Sequence, residues 1–193
     1  MKLNLGRISI FLLLIALSIG FGFAFDAIAT AVEKSNYPME DSIATDVHNT
    51  AKEFGIPENI LWGFIKTQSD FSSNKVSSDG SIGLTQLTPD QYLMISKEIL
   101  KEPSQETELL YAPVPNLRCG AAYLSYLFHR YGVWEVAIAA YEAGTETVDA
   151  WLLDDALIGE DGNLITIPDE NAAKTAKDTL HAADYYKRLY FAS

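Results

Sequence analysis

The sequence predicts a mainly α, single-core domain behind an apolar N-terminal segment. Three observations predict it: apolar residues at helical spacing over most of positions 41–191, helix-boundary residues between those stretches, and a single cysteine in 193 residues. With only Cys119, an internal disulfide is excluded and stability has to come from packing. About 160 residues beyond the N-terminal segment suffice for one compact core.

The chain opens with Lys2 and Arg7 and then runs from Ile8 to Phe25 without a charge. These 18 residues, almost all apolar, form an export signal, or an uncleaved anchor just long enough to cross a hydrocarbon core. Small-x-small sites at Ala27-Ile28-Ala29 and Ala29-Thr30-Ala31 suit cleavage; residues 1–29 are therefore assigned as signal or anchor. With the basic residues kept inside, either outcome puts the rest of the chain outside the cytoplasm, at the cell membrane or secreted to the wall. Residues 30–40 are polar, lack a period and are expected to be a tether, with residues 41–193 forming the domain.

Asp41 to Phe54 is a predicted helix closed by Gly55, and Pro57 opens a second that runs to about Ser69. Thr88, Pro89 and Gln91 form a capping box that starts a helix reaching about Lys101, ended by Pro103. Asn116 to Tyr131 stops at Gly132, and Val133 to Ala143 stops at Gly144. Two more helices are expected near Thr147–Ala156 and Glu170–Phe191. Between Phe71 and Leu87 lies a Ser- and Gly-rich loop or very short hairpin, where function tends to concentrate. Gly159–Asn163 is a turn, and Leu164–Ile167 is a candidate short strand.

Composition excludes several classes of function. The whole chain has 14 Lys plus Arg against 26 Asp plus Glu, a formal net charge of −12. Setting aside Lys2, Arg7 and Asp26 leaves 12 against 25, or −13, for the exported part, which is no nucleic-acid binder. Such a surface repels anionic polymers, so any glycan must be gripped in a local cleft. His48, His129 and His181 lack metal-ligand spacing, no phosphate-binding glycine loop occurs, and Cys119 lies in an apolar helix. No metal and no cofactor are expected.

Two polar side chains fall on apolar helix faces. In Pro57–Ser69 the stripe Leu61, Phe64, Ile65 continues to Gln68, which therefore faces inward, whereas Asp70 would point away into solvent. Gln68 suits either a core amide with satisfied hydrogen bonds or a cleft residue. In Val133–Ala143 the stripe Trp134, Ala137, Ile138, Tyr141 has Glu142 on its edge. A carboxylate there needs a partner or a cleft, or it reaches water from the helix end.

Four ordered blocks resemble the transglycosylase domain of soluble lytic transglycosylases, glycoside hydrolase family 23, related to goose-type lysozyme. They are Gly63–Phe71, Ser77–Pro89 (SSDGSIGLTQLTP), Asn116–Leu124, and Ala137–Gly144 (AIAAYEAG). Ile167-Pro168 and the tyrosine-containing Tyr185–Tyr190 are similar to the family's closing segment, after an acidic insertion at 154–166. The resemblance implies a lysozyme-like fold, peptidoglycan glycan strands as partner and a monomer. In that family one glutamate at the end of the first block protonates the glycosidic oxygen between N-acetylmuramic acid and N-acetylglucosamine. It then takes a proton from the muramyl 6-hydroxyl, which closes a 1,6-anhydro ring. By the same resemblance Ser77, Gln86 and Tyr141 would line the cleft, and Gly80, Gly83 and Gly144 would let backbone approach it.

The departures fall at the chemistry. Gln68 occupies the acid's position, and an amide cannot donate a proton at neutral pH. Glu142 stands where the family has asparagine, so carboxyl and amide are exchanged between two cleft positions. Thr85 replaces a methionine and is expected to alter a wall of the groove. Three readings follow: a lytic transglycosylase whose acid has moved to Glu142, a catalytically silent module that binds glycan or a wall-associated partner, and a relative in fold alone.

Overall fold

The computed structural model describes residues 24–103, 106–160 and 162–192. The chain divides into two compact units, Met1–Pro38 and Met39–Ser193. In the first, residues 24–36 form a helix, α1. The expected tether at 30–40 is thus helical through 36 and irregular only at 37–40. Alanine at 24, 27, 29 and 31 supplies high helix propensity without an apolar period, and Pro38 disfavours helix at the residue before it. Most of the apolar run assigned to export lies outside the described residues. Among the described residues no helix is long and apolar enough to cross a membrane.

The second unit is built from α2 (Asp41–Phe54), α3 (Glu58–Ser69), α4 (Pro89–Met94), α5 (Pro113–Tyr131), α6 (Trp134–Ala143), α7 (Thr145–Leu152) and α8 (Glu170–Tyr186). The boundary chemistry operates as the sequence suggested. Gly55 and Gly132 close α2 and α5 in left-handed conformation. At the start of α4, Gln91 N–H donates to the Thr88 hydroxyl and Thr88 N–H donates to Gln91 Oε1. Pro113 places the start of α5 three residues ahead of the expected Asn116, because proline in a first turn removes no needed donor.

Other elements differ. The helix expected to reach Lys101 passes at Ile95–Ile99 into a π-helical turn, and a 3-10 turn follows at Thr107–Tyr111. The helix expected at Thr147–Ala156 runs Thr145–Leu152, with a separate 3-10 turn at Asp155–Leu157. The last helix becomes π-helical at Lys187–Phe191. Among the described residues the candidate strand Leu164–Ile167 has the single bridge Ile158 to Leu164 and no strand pairing beyond it. The polar loop holds two isolated bridges, Val76 to Ile82 and Ile82 to Leu87.

Helix α3 is the core: Leu61, Trp62, Phe64 and Ile65 are fully buried. It packs on α8 so closely that a Cβ at Gly63 would lie 2.6 Å from the Thr179 carbonyl and 2.7 Å from Ala183 N. Trp62 stacks on Tyr186 at 5.8 Å. Because α8 also packs on α6, both site-bearing helices are held on one support. Gly63→Ala is therefore expected to lower the melting temperature by several degrees, since backbone, not a flexible side chain, has to yield. Thermal denaturation checks it, and an unchanged transition would mean that α8 shifts freely.

Candidate functional site

A cleft of about 260 Å³ opens beside the C-terminal ends of α3 and α6, lined by polar side chains from both and from the loop. Gln68 reaches it from the last turn of α3, and Glu142 from the last turn of α6. Gln68 Nε2 donates to Glu142 Oε1 at 2.5 Å. The two polar residues expected from the inward faces of α3 and α6 are therefore in direct contact. Asp70 is elsewhere: it caps α3 in left-handed conformation, is exposed and pairs with Lys66.

The environment of Glu142 favours its protonated form. Burial of the carboxyl is the main cause that raises its pKa above the ordinary glutamate value. The Gln68 hydrogen bond opposes this, the Asp79 and Asp169 carboxylates add to it, and Lys75 offsets part. The residue keeps solvent access through the open mouth, while protein atoms surround its carboxyl on most sides. A raised pKa in the folded state has a defined stability consequence. The contribution is fully present below the ordinary glutamate value and is lost as pH rises through the raised folded value. Glu142→Gln is expected to flatten that part of the stability–pH curve, as read by urea denaturation at a series of pH values. An unchanged curve would mean that the carboxyl is as well solvated folded as unfolded.

Three further expected residues line the cleft. Ser77 Oγ donates to Gln86 Oε1. The Gln86 amide donates to the carbonyls of Gly83 at 2.8 Å and Lys75 at 3.2 Å. These contacts hold Gln86 at a φ of 51°, unusual for a residue with a Cβ. Tyr141 is 4% exposed, and its hydroxyl donates to the Thr85 carbonyl at 2.9 Å. Burial pushes its phenol well above the ordinary tyrosine value, so it remains a neutral donor.

Gly83 and Thr85 do not line the cleft, and both expectations are corrected. A Cβ on Gly83 would meet Asn116 Nδ2 at 2.3 Å and the Leu110 carbonyl at 2.6 Å. The glycine makes room for the Asn116 side chain and not for a ligand. Thr85 is fully buried, with Oγ1 donating to Asn116 Oδ1 at 2.8 Å and its side chain against Gly120. A hydroxyl with a backbone partner available points inward. Gly80 and Gly144 have φ of 86° and 85° with open space where a Cβ would be.

Sequence reasoning passed over Lys75, Asp79 and Thr175 in the cleft and Asn116 beneath it. Asn116 is fully buried at the start of α5. Its Oδ1 accepts from Thr85 N–H, and its Nδ2 donates to the carbonyls of Ile82 and Leu110. An asparagine inside an otherwise apolar helical stripe was the available signal. Asn116→Leu leaves these groups unmet at about 1–3 kcal/mol each. It is expected to destabilise the domain and release the loop that carries Ser77 and Gln86. Hydrogen exchange at residues 82–86 checks this, and unchanged protection there would contradict it.

Comparison with known proteins gives the family. The model described as transglycosylase SLT domain matches residues 47–157. Membrane-bound lytic murein transglycosylase C of Haemophilus influenzae (strain PittEE) is 30% identical over 115 residues, which cover 53% of this chain and 31% of that relative. Among solved structures, the lytic transglycosylase Slt of Pseudomonas aeruginosa, in an inactive Glu-to-Gln mutant form, has a TM-score of 0.68 at 31% identity. The match covers 79% of this chain and 25% of that one. The 70 kDa soluble lytic transglycosylase of Escherichia coli has a TM-score of 0.72 at 22% identity, over 81% and 25% of the two chains, a likeness of fold. The fold is thus the mainly helical, lysozyme-like one, and the chain belongs to the transglycosylase SLT domain family.

Proposed function

We propose that this domain acts on the glycan strands of peptidoglycan as a lytic transglycosylase in which Glu142 has taken over proton transfer. The observation that carries this reading is the 2.5 Å contact between Glu142 and Gln68, which keeps a carboxyl within one hydrogen bond of the position where the family has its acid. A carboxyl whose pKa is raised by burial suits a general acid. In the step proposed, Glu142 gives its proton to the glycosidic oxygen as the bond to the muramyl C1 breaks. The carboxylate left behind accepts the Gln68 N–H and then takes the proton of the muramyl 6-hydroxyl as that oxygen bonds to C1. No water is consumed, and the carboxyl ends the cycle protonated. Ser77, Gln86 and Tyr141 form the walls that hold the sugar. The chain would act outside the cytoplasm, held by its N-terminal segment or released from it, as a monomer.

A second reading has its own support. Gln68 is an amide, and a Glu-to-Gln exchange is what makes the Pseudomonas aeruginosa Slt mutant inactive. Under it the cleft binds glycan without cutting it. Co-sedimentation with purified sacculi, combined with loss of turbidity, tests both. Binding with clearing supports the lytic reading, binding alone supports the silent module, and the absence of both overturns the peptidoglycan assignment.

A further inference from the structure

Among the described residues, Lys75 is the one cationic side chain that lines the cleft. It is fixed at both ends. Its carbonyl accepts from Gly83 N–H at 2.9 Å and from the Gln86 amide at 3.2 Å, and its Nζ donates to the Gln68 carbonyl at 2.5 Å. An ammonium has three donors, so two remain. Lys75 makes no ion pair among the described residues. The two carboxylates that line the same cleft are engaged with other donors. Asp79 accepts from the N–H and hydroxyl of Ser81, and Glu142 accepts from Gln68. In a chain of net charge −12, an exposed ammonium that lines a polar cleft without an ion pair among the described residues is a local attractor within a field that repels anions generally.

We propose that Lys75 is a specificity-determining contact for a carboxylate carried by the glycan, so that the cleft takes acidic N-acetylated saccharides in preference to neutral ones. This rests on the reading that the cleft holds peptidoglycan strands. Two carboxylates on such strands have the required chemistry: the lactyl group of N-acetylmuramic acid where no peptide is attached, and the carboxylates of an attached peptide.

Equilibrium binding of the full chain to three probes tests it. The probes are neutral chitotetraose, a peptide-free peptidoglycan tetrasaccharide, and its peptide-bearing counterpart, measured where all are recovered intact. The wild-type chain binds an acidic probe roughly tenfold more tightly than chitotetraose, as expected for one charge-assisted hydrogen bond. Lys75→Gln levels the affinities, Lys75→Arg keeps the preference, and salt narrows it. Preference for the peptide-free probe alone assigns the lactyl carboxylate; preference for the peptide-bearing one assigns the peptide. Equal affinity of the wild-type chain for neutral and acidic probes, or a preference that survives Lys75→Gln, overturns the proposal while leaving the glycan reading intact. Binding to none of the three overturns both.

Discussion

Gln68→Glu is expected to raise the rate of glycan-strand cleavage, by roughly 10²–10⁴-fold, the usual worth of a positioned general acid–base group, where the natural protein is a silent module, and by less where Glu142 already carries the proton. The substitution keeps the side chain's size and puts a proton carrier at the cleft position that, on the proposed reading, corresponds to the family's acid. The walls need no change, since Ser77, Gln86 and Tyr141 already have their hydrogen bonds. The new carboxyl would face Glu142 across the 2.5 Å now bridged by the amide. Two carboxylates that close share a proton, so the pair holds one to higher pH than a lone glutamate. The same coupling sets the sign of the stability change. Stability is greatest below the ordinary carboxylate range and falls as pH rises through the raised value of the pair. Zymograms of the two proteins decide the activity. An inactive Gln68→Glu protein that folds and still binds peptidoglycan would mean that the cleft has diverged at more than this residue.

Glu142→Gln is expected to abolish the activity of the natural protein while changing glycan affinity only a few-fold. An amide at 142 keeps the shape and still accepts the Gln68 N–H, so binding geometry survives, but no proton is available at neutral pH. If the natural protein is a silent module, there is no activity to lose. The substitution then alters melting temperature or affinity alone, by an amount set by how well the carboxylate was paired. Comparison of product release with strand binding, variant against wild type, separates the cases. Activity unchanged in Glu142→Gln would eliminate Glu142 as the acid. Asp79, the other carboxylate lining the cleft, would become the candidate, since Asp70 does not line it.

The helices were legible where local chemistry sets them. The Thr88 capping box and the left-handed glycines at 55 and 132 act through residues within one turn of the boundary they mark. The π-helical turn at Ile95–Ile99 has no such mark. Residues 30–36 misled because propensity alone, without a core-facing stripe, sustains that helix. The inward phase of Gln68 was legible from the stripe on α3, and the position of Glu142 from its place at the edge of the stripe on α6. Their contact was not, because it depends on how α3 and α6 each seat on α8, an arrangement set by close approaches such as Gly63 against Thr179. Gly83 and Thr85 were assigned to the cleft by resemblance, whereas the Asn116 side chain packs against Gly83 and hydrogen-bonds Thr85 in the interior.

The most direct measurement is the chemistry of the products that the wild-type chain releases from purified peptidoglycan, read by mass spectrometry. Proton transfer by Glu142 to the glycosidic oxygen and from the muramyl 6-hydroxyl requires 1,6-anhydro-muropeptides, formed without uptake of water. Intact strands that retain the bound protein, with no anhydro product at any pH, would contradict it.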